Sequence, residues 1–496
     1  MKLYKIIEGI DCSIWSEGIE RDRKVLETVE IASIAFDSRK VQQGTLFVAQ
    51  KGTHVDGHAF IADAINLGAT AIICQELPTE QSAGVLFLQV SNADCALGIA
   101  ASNFYGNPSR HMKLVGITGT NGKTTTVTML HRLFRALGHH TGLFSTIVNR
   151  IDEQEFPATH TTPDAIALNE LMAQMVEQGC EYCFMEVSSH SIVQNRIAGL
   201  HFAGAIFSNI THDHLDFHKT MANYIAAKKA LFDQLTPDAF ALTNIDDKNG
   251  MVMVQNCPAH IHTYSLQTMA DFRSKVIEST IHGQQIALNC SLEGRSFNKE
   301  FWTPLVGRFN AYNITAIVAA ALLCGADPDE TLRLASALHA APGRFQYFHS
   351  KGVTAIVDYA HTPDALKNVI DTINEVRQSQ QSLITVVGCG GDRDPLKRPI
   401  MARIAAEGSD HLILTSDNPR TEDPDTILDA MEQGLSPEQR SNTVRITDRR
   451  QAIKTATLIA HEGDIILVAG KGHETYQEIN GVRHHFDDTE ELKKLL

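Results

Sequence analysis

Lys113-Leu114-Val115-Gly116-Ile117-Thr118 reads as a buried strand that runs through Gly119-Thr120-Asn121-Gly122 into Lys123-Thr124-Thr125 and a helix with Val127, Leu130, Leu133 and Phe134 on its apolar face. A strand, a glycine-rich turn and a helix in this order make a phosphate cradle. Glycines let successive backbone N–H groups face an anion at the helix N-terminus, a lysine reaches the outer phosphates, and a hydroxyl such as that of Thr124 can ligate Mg²⁺. The strict GxxxxGK spacing fails, because Ile117 stands five residues before Gly122 and the nearest glycines are Gly116 and Gly119. The competing reading, a tight turn with an exposed lysine, leaves the agreement of GKTT with both flanking elements unexplained.

Outward from this loop, strands are expected at EYCFMEV, AGAIFSNI and DAFALTN, separated by amphipathic stretches of helical length. That alternation indicates a parallel α/β sheet. On the N-terminal side GTLFVA and ATAIIC read as short buried strands, and the turn Gly106-Asn107-Pro108-Ser109 closes the piece. Past a break at Ala341-Pro342-Gly343, VTAIVDYA, LITVVG, HLILTS and DIILVAG alternate with helices in a doubly wound pattern. The expected fold class is α/β in three domains: an N-terminal α/β domain over 1–109, a central P-loop-type domain with a mainly parallel sheet over 110–338, and a Rossmann-like domain over 339–496.

The 496 residues are 43% hydrophobic and 20% charged, which suits several packed cores and excludes a disordered or fibrous chain. With 43 Lys and Arg against 58 Asp and Glu, the net charge of −15 offers no bulk positive field, so neither nucleic acid nor a membrane is expected as a partner. No run of 18 apolar residues occurs, and Glu8 and Asp11 interrupt the short apolar start, so a cytoplasmic protein is expected, working as a monomer. The nine scattered cysteines fit reduced thiols. Only Cys180 and Cys183 have CxxC spacing. Read on one strand they point to opposite faces, a poor metal pair, and are taken as packing residues.

Two further patterns carry chemistry. Asn209-Ile210-Thr211-His212-Asp213-His214-Leu215-Asp216-Phe217-His218 gathers metal-capable side chains after a strand, but Phe217 breaks the HxHxDH spacing of dinuclear zinc sites. With a phosphate loop upstream, nucleotide-bound Mg²⁺ is the expected client, held by a carboxylate such as Glu186 and one imidazole. The helix ANYIAAKKALFDQL has Tyr224, Ile225, Leu231, Phe232 and Leu235 on its apolar face, with Lys228 near the middle and Lys229 at the edge. A cation there is costly unless paired, modified or neutralised, the alternative being a side chain that snorkels to water.

Taken together these residues resemble the Mur ligases, the ATP-dependent amide-forming enzymes of peptidoglycan precursor synthesis. Gly119-Thr120-Asn121-Gly122-Lys123-Thr124 is similar to that family's GTxGKT loop, Asn209 to Asp216 to its N-x-x-x-DHLD run, and Tyr224, Ala227, Lys228, Leu231 and Phe232 to its YxxAKxxLF segment. Gly307-Arg308-Phe309-Asn310-Ala311-Tyr312-Asn313 resembles its GxFNxxN, and Gly343-Arg344 and Asp358-Tyr359-Ala360-His361 resemble ATP-site elements across the domain junction. The resemblance implies ATP contacts from Gly119 to Thr125 and from Asn310, Asn313, Arg344 and Asp358. It implies a carbamylated Lys228, Mg²⁺ on Thr124, Glu186, His214 and that carbamate, and catalytic roles for Lys123, Lys228 and His214. A split site of this kind implies hinge closure on ATP.

Asp37-Ser38-Arg39 with Gly44 to Ala49 resembles the uridine-nucleotide domain of members that add the third residue or the terminal dipeptide. Thr161-Thr162-Pro163, Met185-Glu186-Val187-Ser188-Ser189-His190 and Gln194-Asn195-Arg196 resemble segments that hold a UDP-N-acetylmuramoyl dipeptide, so Ser38, Thr161, Thr162, Ser188, Gln194 and Arg196 are its expected contacts. For the incoming amino acid, Asp417-Asn418-Pro419-Arg420 resembles the diaminopimelate-adding members. A diacid with a second ammonium, such as meso-diaminopimelate, needs a guanidinium for its distal carboxylate and acids for its distal amine. Arg393 and Arg420 suit the first and Asp417 and Glu474 the second; Arg393 in GCGGDRD and Gly470 to Glu474 in GKGHE also resemble that pocket, and the resemblance implies Asn418 and Gly470 as further contacts. The implied reaction passes through an acyl phosphate that the amine attacks, with His361 and His473 left open as bases. Alternatives are the same ligation with L-lysine, a folylpolyglutamate-synthetase-like ligase, a P-loop kinase or GTPase, and a nucleotide-gated binding module without catalysis.

Overall fold

The computed structural model describes residues 1–52, 55–158, 160–292 and 294–496, and its strands form three main sheets. The first runs, edge to edge, Ile19–Glu20, Ser13–Ser16, Leu86–Gln89, Ala69–Cys74, Thr45–Val48 and Ser33–Ala35. Its last four strands are parallel, and Ser13–Ser16 joins antiparallel to Leu86–Gln89.

The second sheet contains the phosphate-loop strand at its centre. Its order is Gln154–Pro157, Val148–Ile151, Thr141–Phe144, Tyr182–Glu186, Lys113–Thr118, Gly204–Phe207, Phe240–Asn244, His260–Ser265, Phe272–Thr280, Gly283–Leu292 and Arg295–Thr303. Thr141–Phe144 through Phe272–Thr280 are parallel, each fully apolar central strand being covered on both faces. Helices Lys123–Ala136 and Arg308–Leu323 pack on one face around Val127, Leu130, Phe134, Ile314 and Ile317, while Ala165–Glu177 and Met221–Asp233 pack on the other around Leu168, Met172, Leu231 and Phe232. The sequence reading had supplied four of the parallel strands; Thr141–Phe144, His260–Ser265 and Phe272–Thr280 were not read from it, nor were the antiparallel extensions Val148–Pro157 and Gly283–Thr303 at the two edges.

The third sheet runs Gln346–Ser350, Val353–Asp358, Ile465–Ala469, Leu383–Val387, His411–Leu414 and Thr443–Arg445, parallel except for its first strand, with apolar clusters on both faces. The carboxyl ends of the second and third sheets meet. Arg344 donates to Thr124 Oγ1 at 3.2 Å and Asn121 Nδ2 to Asp364 Oδ2 at 3.0 Å. Loops at strand carboxyl ends are where parallel sheets bind ligands, so this junction is the place to look for chemistry.

Packing bears on two readings of the sequence. The strand Tyr182–Glu186 starts two residues after Cys180, so Cys180 and Cys183 do not alternate across it; both are buried in one apolar cluster. They remain packing residues, for a different reason from the one spacing suggested. Lys228 does not snorkel: it is 1% exposed.

Candidate active site

The phosphate loop is shaped by its glycines and held by side chains from three other elements. Gly122 has φ +89°, and a Cβ there would stand 2.4 Å from Asn313 Oδ1. Asn313 in turn donates to Asn310 Oδ1 at 3.1 Å, and Asn310 to Val306 O at 2.9 Å. The two asparagines thus underpin the loop from the helix Arg308–Leu323. Asn209 holds the other side: its Oδ1 accepts from Asn121 N at 3.0 Å and its carbonyl from Thr120 N at 2.8 Å. The helix Lys123–Ala136 has no side-chain cap, which leaves its first N–H groups free for an anion.

A cavity of about 180 Å³ opens above this loop, lined among others by Thr120 to Thr125, Glu186, Ser188, Asp213, His214, Lys228 and Arg344. Glu186 ends the strand beside Ile117 and is 1% exposed, accepting from Thr146 N at 2.8 Å and Thr146 Oγ1 at 3.2 Å. Lys123 and Lys228 both donate to the carbonyl of Gly119, at 3.0 and 2.8 Å. Burial, and then the charge of Lys123, push the Lys228 amine well below its ordinary pKa. A buried amine that favours its uncharged form is the one able to take up CO₂. Tyr224 lies 4.6 Å below its nitrogen and shares a hydrogen bond with Thr120 Oγ1 at 3.2 Å.

A second cavity, of about 410 Å³, is lined by Arg393, Asp417, Asn418, Arg420, Gly470 and Glu474 together with His190 and Lys397. Thr161, Asp213, His214, Tyr359 and His361 line both cavities and form their junction. Gly470 has φ +115°, and a Cβ there would meet Asp417 Oδ2 at 2.4 Å, so only glycine admits that carboxylate. Arg420 is fixed by Nη1 donating to Gly391 O at 2.6 Å. His361 sits with Nδ1 2.8 Å from Tyr359 O, which makes Nδ1 the donor and leaves Nε2 as acceptor; burial and the nearby Lys397 push its pKa down to about 4. The His473 ring lies 4.9 Å from that of Tyr359 and is pushed down to about 3, mainly by burial.

The expected dipeptide contacts divide. Thr161 lines both cavities and Ser188 the smaller one, while Thr162 Oγ1 donates to Glu186 O at 2.8 Å and Arg196 Nη1 to Thr162 O at 2.8 Å. Gln194 ends the helix Ser189–Val193 beside them, outside both cavities. Ser38, on a 3-10 turn of the first sheet's domain, is also outside both. Asp358 accepts from Phe345 N at 2.6 Å, and Arg344 stacks on Tyr359 at 4.5 Å. A cleft of about 270 Å³ lies beside Asn310, lined among others by Leu305, Val306, Phe345 and Tyr347.

Sequence reasoning passed over Thr146, gave no bracing role to Tyr224 and no lining role to Asp213, and gave no role to Lys471, which lies behind the larger cavity. Among the described residues no three His, Cys, Asp or Glu side chains are arranged to hold a metal ion on their own. Glu186 and His214 with the Thr124 hydroxyl make a partial set, which a carbamate on Lys228 and phosphate oxygens would complete.

Comparison with known proteins agrees with this layout. Three Mur ligase profiles match: "Mur ligase family, catalytic domain" at residues 30–105, "Mur ligase middle domain" at 117–321 and "Mur ligase, glutamate ligase domain" at 343–472. A protein of Cytophaga hutchinsonii named UDP-N-acetylmuramoyl-L-alanyl-D-glutamate--2,6-diaminopimelate ligase is 56% identical over 94% of this chain and 95% of its own. One of the same name from Phocaeicola vulgatus is 50% identical over 100% and 99%. A solved structure of a ligase of that name superposes with a TM-score of 0.69 at 33% identity, covering 100% of this chain and 98% of that one.

Proposed function

The chain belongs to the Mur ligase family, and from that premise we propose that it joins meso-diaminopimelate to UDP-N-acetylmuramoyl-L-alanyl-D-glutamate with cleavage of ATP to ADP, a step of peptidoglycan synthesis. The observation that carries the reading is the pair of cavities sharing one wall: a phosphate cradle on one side, and on the other a pocket whose lining includes the guanidiniums of Arg393 and Arg420, Lys397 and four carboxylates, Asp417 and Glu474 among them. The first suits a triphosphate, the second a zwitterion with a distal acid and a distal amine.

Each domain has its share. Residues 1–109 take the uridine nucleotide, 110–338 the ATP and 339–496 the amino acid. Lys123 and the free N–H groups after Gly122 offset charge on the phosphates as the dipeptide carboxylate attacks the γ-phosphorus. The acyl phosphate then lies at the junction of the cavities, where the amine displaces phosphate. Mg²⁺, held by Thr124, Glu186, His214 and carbamylated Lys228, would supply further charge neutralisation to the phosphates. Arg393 and Arg420 grip the distal carboxylate, and Asp417 and Glu474 the distal ammonium.

A folylpolyglutamate-type ligase would leave the six-stranded N-terminal sheet without a task. Lysine has no distal carboxylate to offer Arg420. Orthophosphate release and product mass, with ATP, the UDP-dipeptide and either meso-diaminopimelate or L-lysine, test the reading. Diaminopimelate is expected to be used at least about tenfold more efficiently, and Arg420→Ala to lose about 2 kcal/mol of that preference. Lysine preferred by the unaltered protein overturns it.

A further inference from the structure

The larger cavity has a buried cation behind it. Lys471 lies between Gly470 and Gly472, both at positive φ, in the turn after Ile465–Ala469, and its side chain is 0% exposed. Its ammonium donates to Glu474 Oε2 at 3.1 Å and to Asn418 Oδ1 at 3.0 Å. Asn418 Nδ2 donates to the same Glu474 oxygen at 2.7 Å, and Asn418 Oδ1 also accepts from Glu478 N at 2.9 Å. Glu474 Oε2 is thus taken by two donors, whereas no hydrogen bond from the described residues reaches Oε1, and Glu474 lines the cavity. A lysine wholly inside a protein is costly unless it is paired, and this one is paired to a group facing the ligand space rather than to a structural acid.

We propose that Lys471 is a positioning residue: it holds Glu474 as an oriented carboxylate whose free oxygen takes the distal ammonium of the incoming amino acid. This rests on the reading of the larger cavity as the amino-acid site. Glu474 needs such help. Asp417 stands in the same wall, and burial and that second acid raise the Glu474 pKa, while Lys471 and the Asn418 amide oppose the rise. Nearest to it are Tyr359 after Val353–Asp358, Tyr476 on Tyr476–Ile479, Arg449 on Arg449–Ile459 beneath, and His473 on its own turn, and the same cavity is lined by Arg393, Arg420, Lys397, Asp213, Asp394 and the imidazoles of His190, His212, His214 and His361. Arg449 is already committed to Asp488, at 2.7 Å, so it cannot stand in for Lys471.

Without the Lys471 ammonium, Glu474 takes up a proton at higher pH and loses its hold on the amine as pH falls. The test is the KM for meso-diaminopimelate, read from phosphate release with saturating ATP and UDP-dipeptide, between about pH 6.5 and pH 9. In the unaltered protein it should vary by less than about threefold. Lys471→Met should raise it about tenfold or more at the acid end, recover toward the alkaline end, and change kcat much less; Lys471→Arg should follow the parent. Glu474→Gln should give a raised KM that is flat with pH, and adding K471M to it should raise KM no further.

A K471M protein whose KM runs parallel to the parent, or that loses kcat at fixed KM, overturns the proposal. Should K471M alone fail to fold, the double variant buries no lone charge and must match E474Q; a higher KM in the double variant overturns it equally. An unaltered protein that releases no phosphate with diaminopimelate at all would instead refute the proposed function.

Discussion

Asp358 shows how a buried acid at this junction is tied to its task. It is 7% exposed, and burial, opposed by Arg344, lifts its pKa from 3.8 to about 6. The folded state therefore holds the proton more tightly than the unfolded chain, so stability is lost as pH rises from 3.8 to about 6, and the full penalty applies above that. Two pKa units correspond to about 3 kcal/mol. Asp358→Asn keeps an oxygen for Phe345 N and removes the charge. We expect it to be more stable than the parent by about 1–3 kcal/mol near pH 8, with the difference shrinking toward pH 5. Denaturant melts at both pH values measure this, and equal stability at both would show that the acid carries no burial penalty. The resemblance to the Mur ligases assigns this acid to the ATP site, and on that reading the same variant is expected to bind ATP more weakly.

The helix Lys123–Ala136 and the turn before it act as one element because backbone, not side chains, makes the cradle. Gly122→Ala combines a left-handed conformation, worth about 1–2 kcal/mol of strain, with a Cβ 2.4 Å from Asn313 Oδ1. It should cost the protein stability and weaken ADP binding by more than about tenfold, measured by calorimetric titration. Gly138, also at positive φ but with nothing within 4 Å of a Cβ, is the control: Gly138→Ala should cost about 1 kcal/mol and leave ADP binding intact. This element was the most legible in the sequence, since local spacing carries it. The central strands were legible for the same reason, each being a short apolar run. The long strands Phe272–Thr280, Gly283–Leu292 and Arg295–Thr303 were not, because polar residues are interspersed along them and most of their pairing is with each other at the sheet edge rather than within a continuous apolar run. Likewise Lys228 stood out as a cation inside an apolar helix face, whereas Lys471, between two glycines in a turn, carries no periodic signal and is recognisable only once Asn418 and Glu474 are folded beside it.

At the scale of the whole molecule, the two cavities share a wall, and behind it one backbone contact ties the inter-sheet link to the turn 470–474. Gly343, at φ +66°, lies just past the link between the second and third sheets, and a Cβ on it would stand 2.1 Å from His473 N and 2.2 Å from Gly472 C. The next residue, Arg344, reaches back to Thr124 Oγ1, while the turn it presses on carries Lys471 and Glu474. The link is also held to the phosphate-loop helix by Arg132, whose Nη1 donates to His339 O at 2.9 Å and Ala340 O at 3.3 Å. We expect a movement that seats ATP to shift the wall of the amino-acid pocket, so that the amine is admitted only once the phosphate donor is in place. Gly343→Ala must displace either the turn 470–474 or the link, backbone against backbone, with no flexible side chain to absorb the clash. We expect the KM values for ATP and for diaminopimelate to rise together, each by about tenfold, whereas Arg420→Ala raises the second alone. Steady-state kinetics with each substrate varied in turn distinguish the two patterns. A Gly343→Ala protein impaired for one substrate only would mean that the two cavities close independently.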